Sequence, residues 1–263
     1  MDAVKKKKGI SGSTLKLIAI VTMTIDHFGA AFLGRFMMSG GFMEIMYSSD
    51  ANAIMEWLAQ NGVLYTCYTV TRLIGRIAFP IYCFLLVEGF LRTRDVRKYA
   101  LRLGLFALIS EIPFDLAFKA KVLEFSYQNI FFTLLLGLLT MIACDVVERT
   151  AWKKPVKVIV YGVMVIAGAA LAEFMMTDYG AAGVLCIMAL FLFRRTKRWQ
   201  ITAGCLAFLW EGPTAMAAFI PIAFYNGERG MKLKYFFYAF YPAHLLIIYL
   251  LSMLVGLAGY AVV

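Results

Sequence analysis

Apolar residues run along most of this chain in stretches too long and too continuous for the half-buried helices of a soluble domain. A helix that crosses a bilayer needs about 20 mostly apolar residues, with a range of about 17–25. On that measure the pattern predicts spans over 14–37, 72–91, 99–118, 129–147, 156–173, 179–193 and 235–261. Two shorter apolar segments, 200–210 and 215–225, flank the polar turn Glu211-Gly212-Pro213 and read as half-helices. Counted as two crossings they bring the total to about nine (range about eight to ten), giving an all-α polytopic membrane protein with one domain over 1–263. The longest interruption, 39–71, carries Glu44, Asp50 and Glu56 but no Lys or Arg. It reads as an extracytoplasmic loop in which Ala51–Ala59 fits a short interfacial helix. Loops beyond about 12–15 residues are often lids or binding elements.

Composition agrees with the pattern. Hydrophobic residues make up 62% of the chain and mean hydropathy is +0.77, against about 45–50% apolar residues in soluble proteins. The net charge of +10 would suggest nucleic acid in a soluble chain. Here the cations cluster between apolar runs: Lys5–Lys8; Arg92, Arg94, Arg97 and Lys98; Arg149, Lys153, Lys154 and Lys157; Arg194, Arg195, Lys197 and Arg198; Arg229, Lys232 and Lys234. The clusters fall in every second loop, so they set topology and no nucleic-acid partner is expected. Residues 1–13 form a basic cytoplasmic tail, and the carboxyl terminus is expected outside. The expected partner is the lipid bilayer of a bacterial cytoplasmic membrane, crossed many times. The start resembles a signal peptide, but the many later spans favour an uncleaved first helix. None of the five cysteines forms a CxxC, so neither a disulfide framework nor a metal site is expected.

Against this apolar background the ionisable residues stand out. Asp26 and His27 interrupt the first span, where an Asp costs about 2.5–3.5 kcal/mol on insertion scales. The chain holds only two histidines. His27 lies about 13 residues into the span, roughly 20 Å from its inner end and so in the outer half. Arg72 and Arg76 are one helical turn apart, as are Glu111 and Asp115. Both pairs are equally far from the turn at Thr93–Val96, so the two arginines are expected to meet the two carboxylates across a helix hairpin, with Pro113 bending the second helix. Asn129, Asp178-Tyr179-Gly180 and His244 can face the same polar cleft. His27 changes charge near neutral pH and suits a base. Asp26, adjacent on the helix, points about 100° away and is better placed to hold a cation such as Arg76. Glu88 is expected to neutralise Arg92 or Arg102.

Several strings then carry a resemblance: LKLIAIVTMTIDHFG (15–29), GRIAFPIYCFLLVEGFLRTR (75–94), YALRLGLFALISEIPFDLAF (99–118), NIFFTLLLGLL (129–139), DYGAAGVL (178–185) and YPAHLL (241–246). Together, in order and over nearly the whole chain, they resemble the TraX family of membrane proteins. That family is associated with N-terminal acetylation of conjugative pilin and is similar to polytopic acyltransferases. The resemblance implies an acetyltransferase that moves an acetyl group from cytoplasmic acetyl-CoA to an amine or hydroxyl outside. His27 would be the base or an acetylated intermediate. Arg76 or Asn129 would serve the oxyanion, and the polyanionic coenzyme would dock at Arg92, Arg94, Arg97 and Lys98. The acceptor, whether peptide, glycan or lipid, stays open. A proton-coupled transporter relaying through Asp26 and His27, and a non-catalytic assembly factor, are the alternatives.

Overall fold

The computed structural model describes residues 8–231 and 234–262. The expected basic run at Lys5–Lys7, and Lys232, lie outside the described residues. Helices α1 (Gly12–His27) and α2 (Gly34–Ser39) are joined without a break by a π-helical turn, Phe28–Leu33. Ser11 starts α1 by accepting from the Thr14 amide, the capping that short hydroxyl side chains supply. Then follow α3 (Phe42–Ser48), α4 (Ala51–Gly75), α5 (Ala78–Arg92) and α6 (Val96–Lys119). The chain continues through α7 (Ile130–Glu148), α8 (Lys154–Phe174), α9 (Gly180–Leu192), α10 (Lys197–Ala207), α11 (Pro213–Ala217), α12 (Phe219–Ala223) and α13 (Lys234–Leu254). No strand occurs among the described residues.

Among the described residues, five helical stretches are long and apolar enough to cross a membrane: Gly12–Ser39, Ala51–Arg92, Ile130–Glu148, Lys154–Phe174 and Tyr235–Leu254. α6 has the length but carries too many charges to qualify. Shorter apolar helices occur at Gly180–Leu192 and Pro213–Ala223. The expected break near 211–213 is present: α10 stops, Leu209–Glu211 form a 3₁₀ turn, and α11 starts at Pro213. Pro there fits the first helical position, where no amide partner is needed.

The region 39–71, expected to be a loop with a short helix over Ala51–Ala59, is mostly helix: α4 begins at Ala51 as expected but runs on to Gly75. Its polar residues Asn52, Glu56, Gln60 and Asn61 depress hydropathy without breaking a helix, and no Pro interrupts Ala51–Gly75. Asp50 caps α4 by accepting from the Asn52 amide. Asn61 alone departs from helical backbone angles inside it.

α1, α5, α6, α7, α9 and α13 supply the core, with Leu15, Ala19, Ile81, Val87, Ala107, Leu138, Ile187 and Leu245 sealed from solvent. Two glycines set how closely α1 meets α4. A Cβ on Gly29 would lie 2.0 Å from Thr71 Oγ1, and one on Gly75 would lie 2.1 Å from Asp26 Oδ1. Only bare backbone allows that approach.

Candidate functional site

The close approach of α1 and α4 brings Asp26 to Arg72, whose Nη1 donates to Oδ2 at 2.6 Å. The π turn begins at the next residue but one, and widened turns of this kind often re-aim helical side chains at functional sites. His27 Nδ1 lies 2.7 Å from His244 Nε2 on α13, and His244 Nδ1 lies 2.9 Å from the Phe240 carbonyl oxygen. Phe118 and Tyr241 meet the His27 ring edge-on.

The expected pairing of Arg72 and Arg76 with Glu111 and Asp115 does not form. Depth from a turn fixes height in a bundle but not the direction a helix face points. Arg76 donates to Glu211 at 2.5 Å, in the 3₁₀ turn before Pro213. The Glu211 side chain is only 2% exposed. Glu111 accepts from the Asn129 side-chain amide, and Asp115 accepts from the Glu124 backbone amide at 2.7 Å. Asn129 also donates to the Ala107 carbonyl at 2.8 Å and caps α7 through the Phe131 amide. Its donors are thus spent on the scaffold. Asp26 does hold a cation, but Arg72 and not Arg76; His244 is the group against His27.

A cavity of about 750 Å³ runs through the bundle. At one end it is lined by Asp26, His27, Tyr68, Arg72, Tyr127 and Asp178, with Tyr179 and Tyr241 beside them. Tyr127 donates to Asp178 at 2.7 Å. The middle is apolar, with Met23, Tyr82, Leu86 and Leu134. Lys16, Arg92, Arg94, Arg102 and Arg229 line the other end, near the α5–α6 turn. Arg76, Glu111, Asp115, Asn129 and His244 do not line the cavity; they brace the elements around it.

Of the four cations expected to bind a cofactor, Arg92 and Arg94 line the cavity and Arg97 and Lys98 do not. Arg92 is paired with Glu88 at 2.8 Å, as expected. Lys98 pairs with Asp95 at 3.2 Å. The Lys98 amide and ammonium, both donating to Asp95, hold that carboxyl below the usual carboxylate range. Lys16, Arg94, Arg102 and Arg229 have no carboxylate partner among the described residues. The buried Nε of Arg102 has no hydrogen-bond partner. Lys16, Arg102 and Arg229 escaped sequence reasoning because they read as topology signals. Only the placement of α1, α6 and the 225–231 turn around one opening reveals them.

No group of His, Cys, Asp and Glu among the described residues is arranged to hold a metal. The arrangement can receive an elongated ligand with an anionic head at the cationic end and a reacting group beside His27.

Comparison with known proteins supplies the lineage. The family described as "TraX protein" matches residues 11–252. A relative from Dichelobacter nodosus, "Probable fimbrial assembly protein FimC, serogroup H1", is 28% identical over 265 residues, covering 89% of this chain and 93% of its own length. No solved structure matches the chain. With nearly its full length inside the family match, the chain belongs to the TraX family.

Proposed function

We propose that this protein is a bacterial cytoplasmic-membrane acetyltransferase that carries an acetyl group from acetyl-CoA to an amine or hydroxyl on the far side. The observation that carries the reading is the continuous cavity, cationic at one end and holding His27, Asp26 and Arg72 at the other. The positive-inside tendency places the cationic end, with the amino terminus, in the cytoplasm. Lys16, Arg92, Arg94, Arg102 and Arg229 would hold the coenzyme's phosphates, and the apolar middle would take its pantetheine arm.

Acetyl-CoA supplies an acetyl group on a thioester. His27 accepts the acceptor's proton as the acceptor N or O bonds to the carbonyl carbon, and passes that proton to the departing sulfur as the C–S bond breaks. An imidazole, neutral before the first transfer and protonated before the second, suits both. Arg72, which lines the cavity, offers the positive charge for the developing oxyanion. Asp26 holds that guanidinium in place. Arg76 and Asn129 do not line the cavity and are not assigned this role.

The family's association with pilin acetylation and the fimbrial name of the relative support a fimbrial or pilin subunit as acceptor. The relative's name equally favours a second reading, a non-catalytic assembly factor. Purified protein in bilayers with labelled acetyl-CoA and a peptide acceptor separates them. Under the transferase reading label moves to the peptide, and His27→Ala slows it by about 10²–10⁴-fold. Undiminished function in His27→Ala contradicts it, and flux across the bilayer without coenzyme A would favour a transporter.

A further inference from the structure

The two histidines of this chain, separated by 217 positions, are joined ring to ring, 2.7 Å from Nδ1 of His27 to Nε2 of His244. Their ring planes differ by 11° and their centroids lie 4.9 Å apart. That separation is what two imidazoles need when a hydrogen bond of this length joins them nearly in plane. The contact is therefore a directed bond and not a face-to-face stack.

Its direction follows from the next contact. The Phe240 carbonyl can only accept, so His244 Nδ1 carries a proton and donates to it at 2.9 Å. In the neutral ring the other nitrogen, Nε2, is then a bare acceptor. The proton in the His27–His244 bond must sit on His27 Nδ1. That leaves His27 Nε2 unprotonated and without a hydrogen-bond partner among the described residues, on a ring that lines the cavity. His244 itself is buried, 4% exposed, and does not touch the cavity. Phe240 lies one helical turn before it on α13, so a backbone carbonyl held by the helix sets the whole chain of donors.

We infer that His244 is a positioning residue that locks His27 in the Nδ1–H form, making Nε2 the atom that takes the acceptor's proton. The inference rests on the acetyltransferase reading for its kinetic consequence, but its structural content stands apart from that reading. The relay runs from the Phe240 carbonyl through His244 to His27 and replaces the carboxylate that orients histidine in many hydrolytic sites. Asp26, committed to Arg72, is free of that task.

Because the chain holds two histidines, histidine labelled with ¹⁵N in the ring alone gives only their four ring nitrogens. Protein carrying a histidine-free tag is placed in bilayers at mildly alkaline pH, where both rings are neutral, and read by solid-state NMR. His244→Ala assigns the signals. The expected spectrum has protonated Nδ1 and bare Nε2 on both rings, with coupling across the bond between His27 Nδ1 and His244 Nε2. In His244→Ala the His27 proton shifts largely to Nε2, the form an imidazole side chain prefers in water. His244→Gln, whose amide oxygen can accept the same proton, keeps it on Nδ1.

In acetyl transfer, kcat falls on the order of 10²-fold in His244→Ala. It recovers in part in His244→Gln, with KM for acetyl-CoA unchanged in both. A wild-type His27 protonated on Nε2, or a tautomer indifferent to His244→Ala, overturns the inference. The expected spectra with no acetyl transfer by wild type would instead leave the inference standing and overturn the transferase reading.

Discussion

The two ends of the cavity treat charge in opposite ways. Beside His27, the arginine is matched: Arg72 is bound to Asp26 at 2.6 Å, and one turn later Arg76 is bound to Glu211. At the other end Arg92 is answered by Glu88, but Lys16, Arg94, Arg102 and Arg229 line the cavity with no ion pair to a carboxylate among the described residues. A paired charge is held in one geometry, so it can be aimed at charge that develops beside it. Unpaired cations gathered at one mouth repel one another and are relieved by an anion. Arg35 shows that lacking a carboxylate is not enough. It is fully buried, yet it donates to the carbonyls of Tyr260 and Leu116 and to Ser252, and it does not line the cavity. A ligand site needs unmet charge and an opening together.

Substitutions at the two ends should therefore fail differently. Among the charged residues the largest effect is expected for Arg72→Ala, which removes a transition-state cation and leaves the half-buried Asp26 without its partner. Acetyl transfer should drop about 10²–10³-fold, and unfolding should become easier by about 2–3 kcal/mol. Kinetics together with a denaturation curve check this, and Asp26→Asn in the same background should recover stability but not rate. Next comes Gly75→Ala, whose new methyl group meets the Asp26 carboxylate. Overpacking of this sort costs about 1–3 kcal/mol, and here it should also lower kcat by pushing Asp26 and Arg72 apart. An unchanged kcat would mean the pair does not need its observed geometry.

At the cationic end, Arg102→Gln and Lys16→Gln should each weaken coenzyme A binding by about tenfold, read by titration calorimetry, while kcat at saturation holds. A fall in kcat without a change in affinity would erase the distinction between the ends. The smallest effects belong to Arg97→Gln and Lys98→Gln. These residues lie off the cavity, and affinity should stay within about twofold, since exposed charges contribute little.

Much of this was legible in the sequence, for reasons that can be named. The Asp26–His27 interruption of an apolar run stands out because ionisable groups are costly in lipid, and both residues line the cavity. The break at Glu211-Gly212-Pro213 was visible in its glycine and proline. The failures share one cause. Spacing along a helix gives height and relative angle, but not which neighbour a face meets. Arg72 and Arg76 therefore pair with Asp26 and Glu211 and not with Glu111 and Asp115. The His27–His244 bond joins residues 217 apart, and no local pattern announces it. The helix expected over Ala51–Ala59 is present, but it runs on to Gly75, because Gln60 and Asn61 look like loop residues while the backbone stays helical on both sides of a kink at Asn61.

The most direct test of the account is where a coenzyme-borne electrophile lands. Chloroacetyl-CoA carries a reactive carbon in place of the acetyl methyl group, and a bare imidazole nitrogen displaces its chloride. Peptide mass spectrometry after incubation should find the adduct on His27, suppressed by excess coenzyme A and weakened in Arg102→Gln. Adducts confined to the exposed Cys67, or none that coenzyme A suppresses, would contradict a donor path from the cationic end to His27.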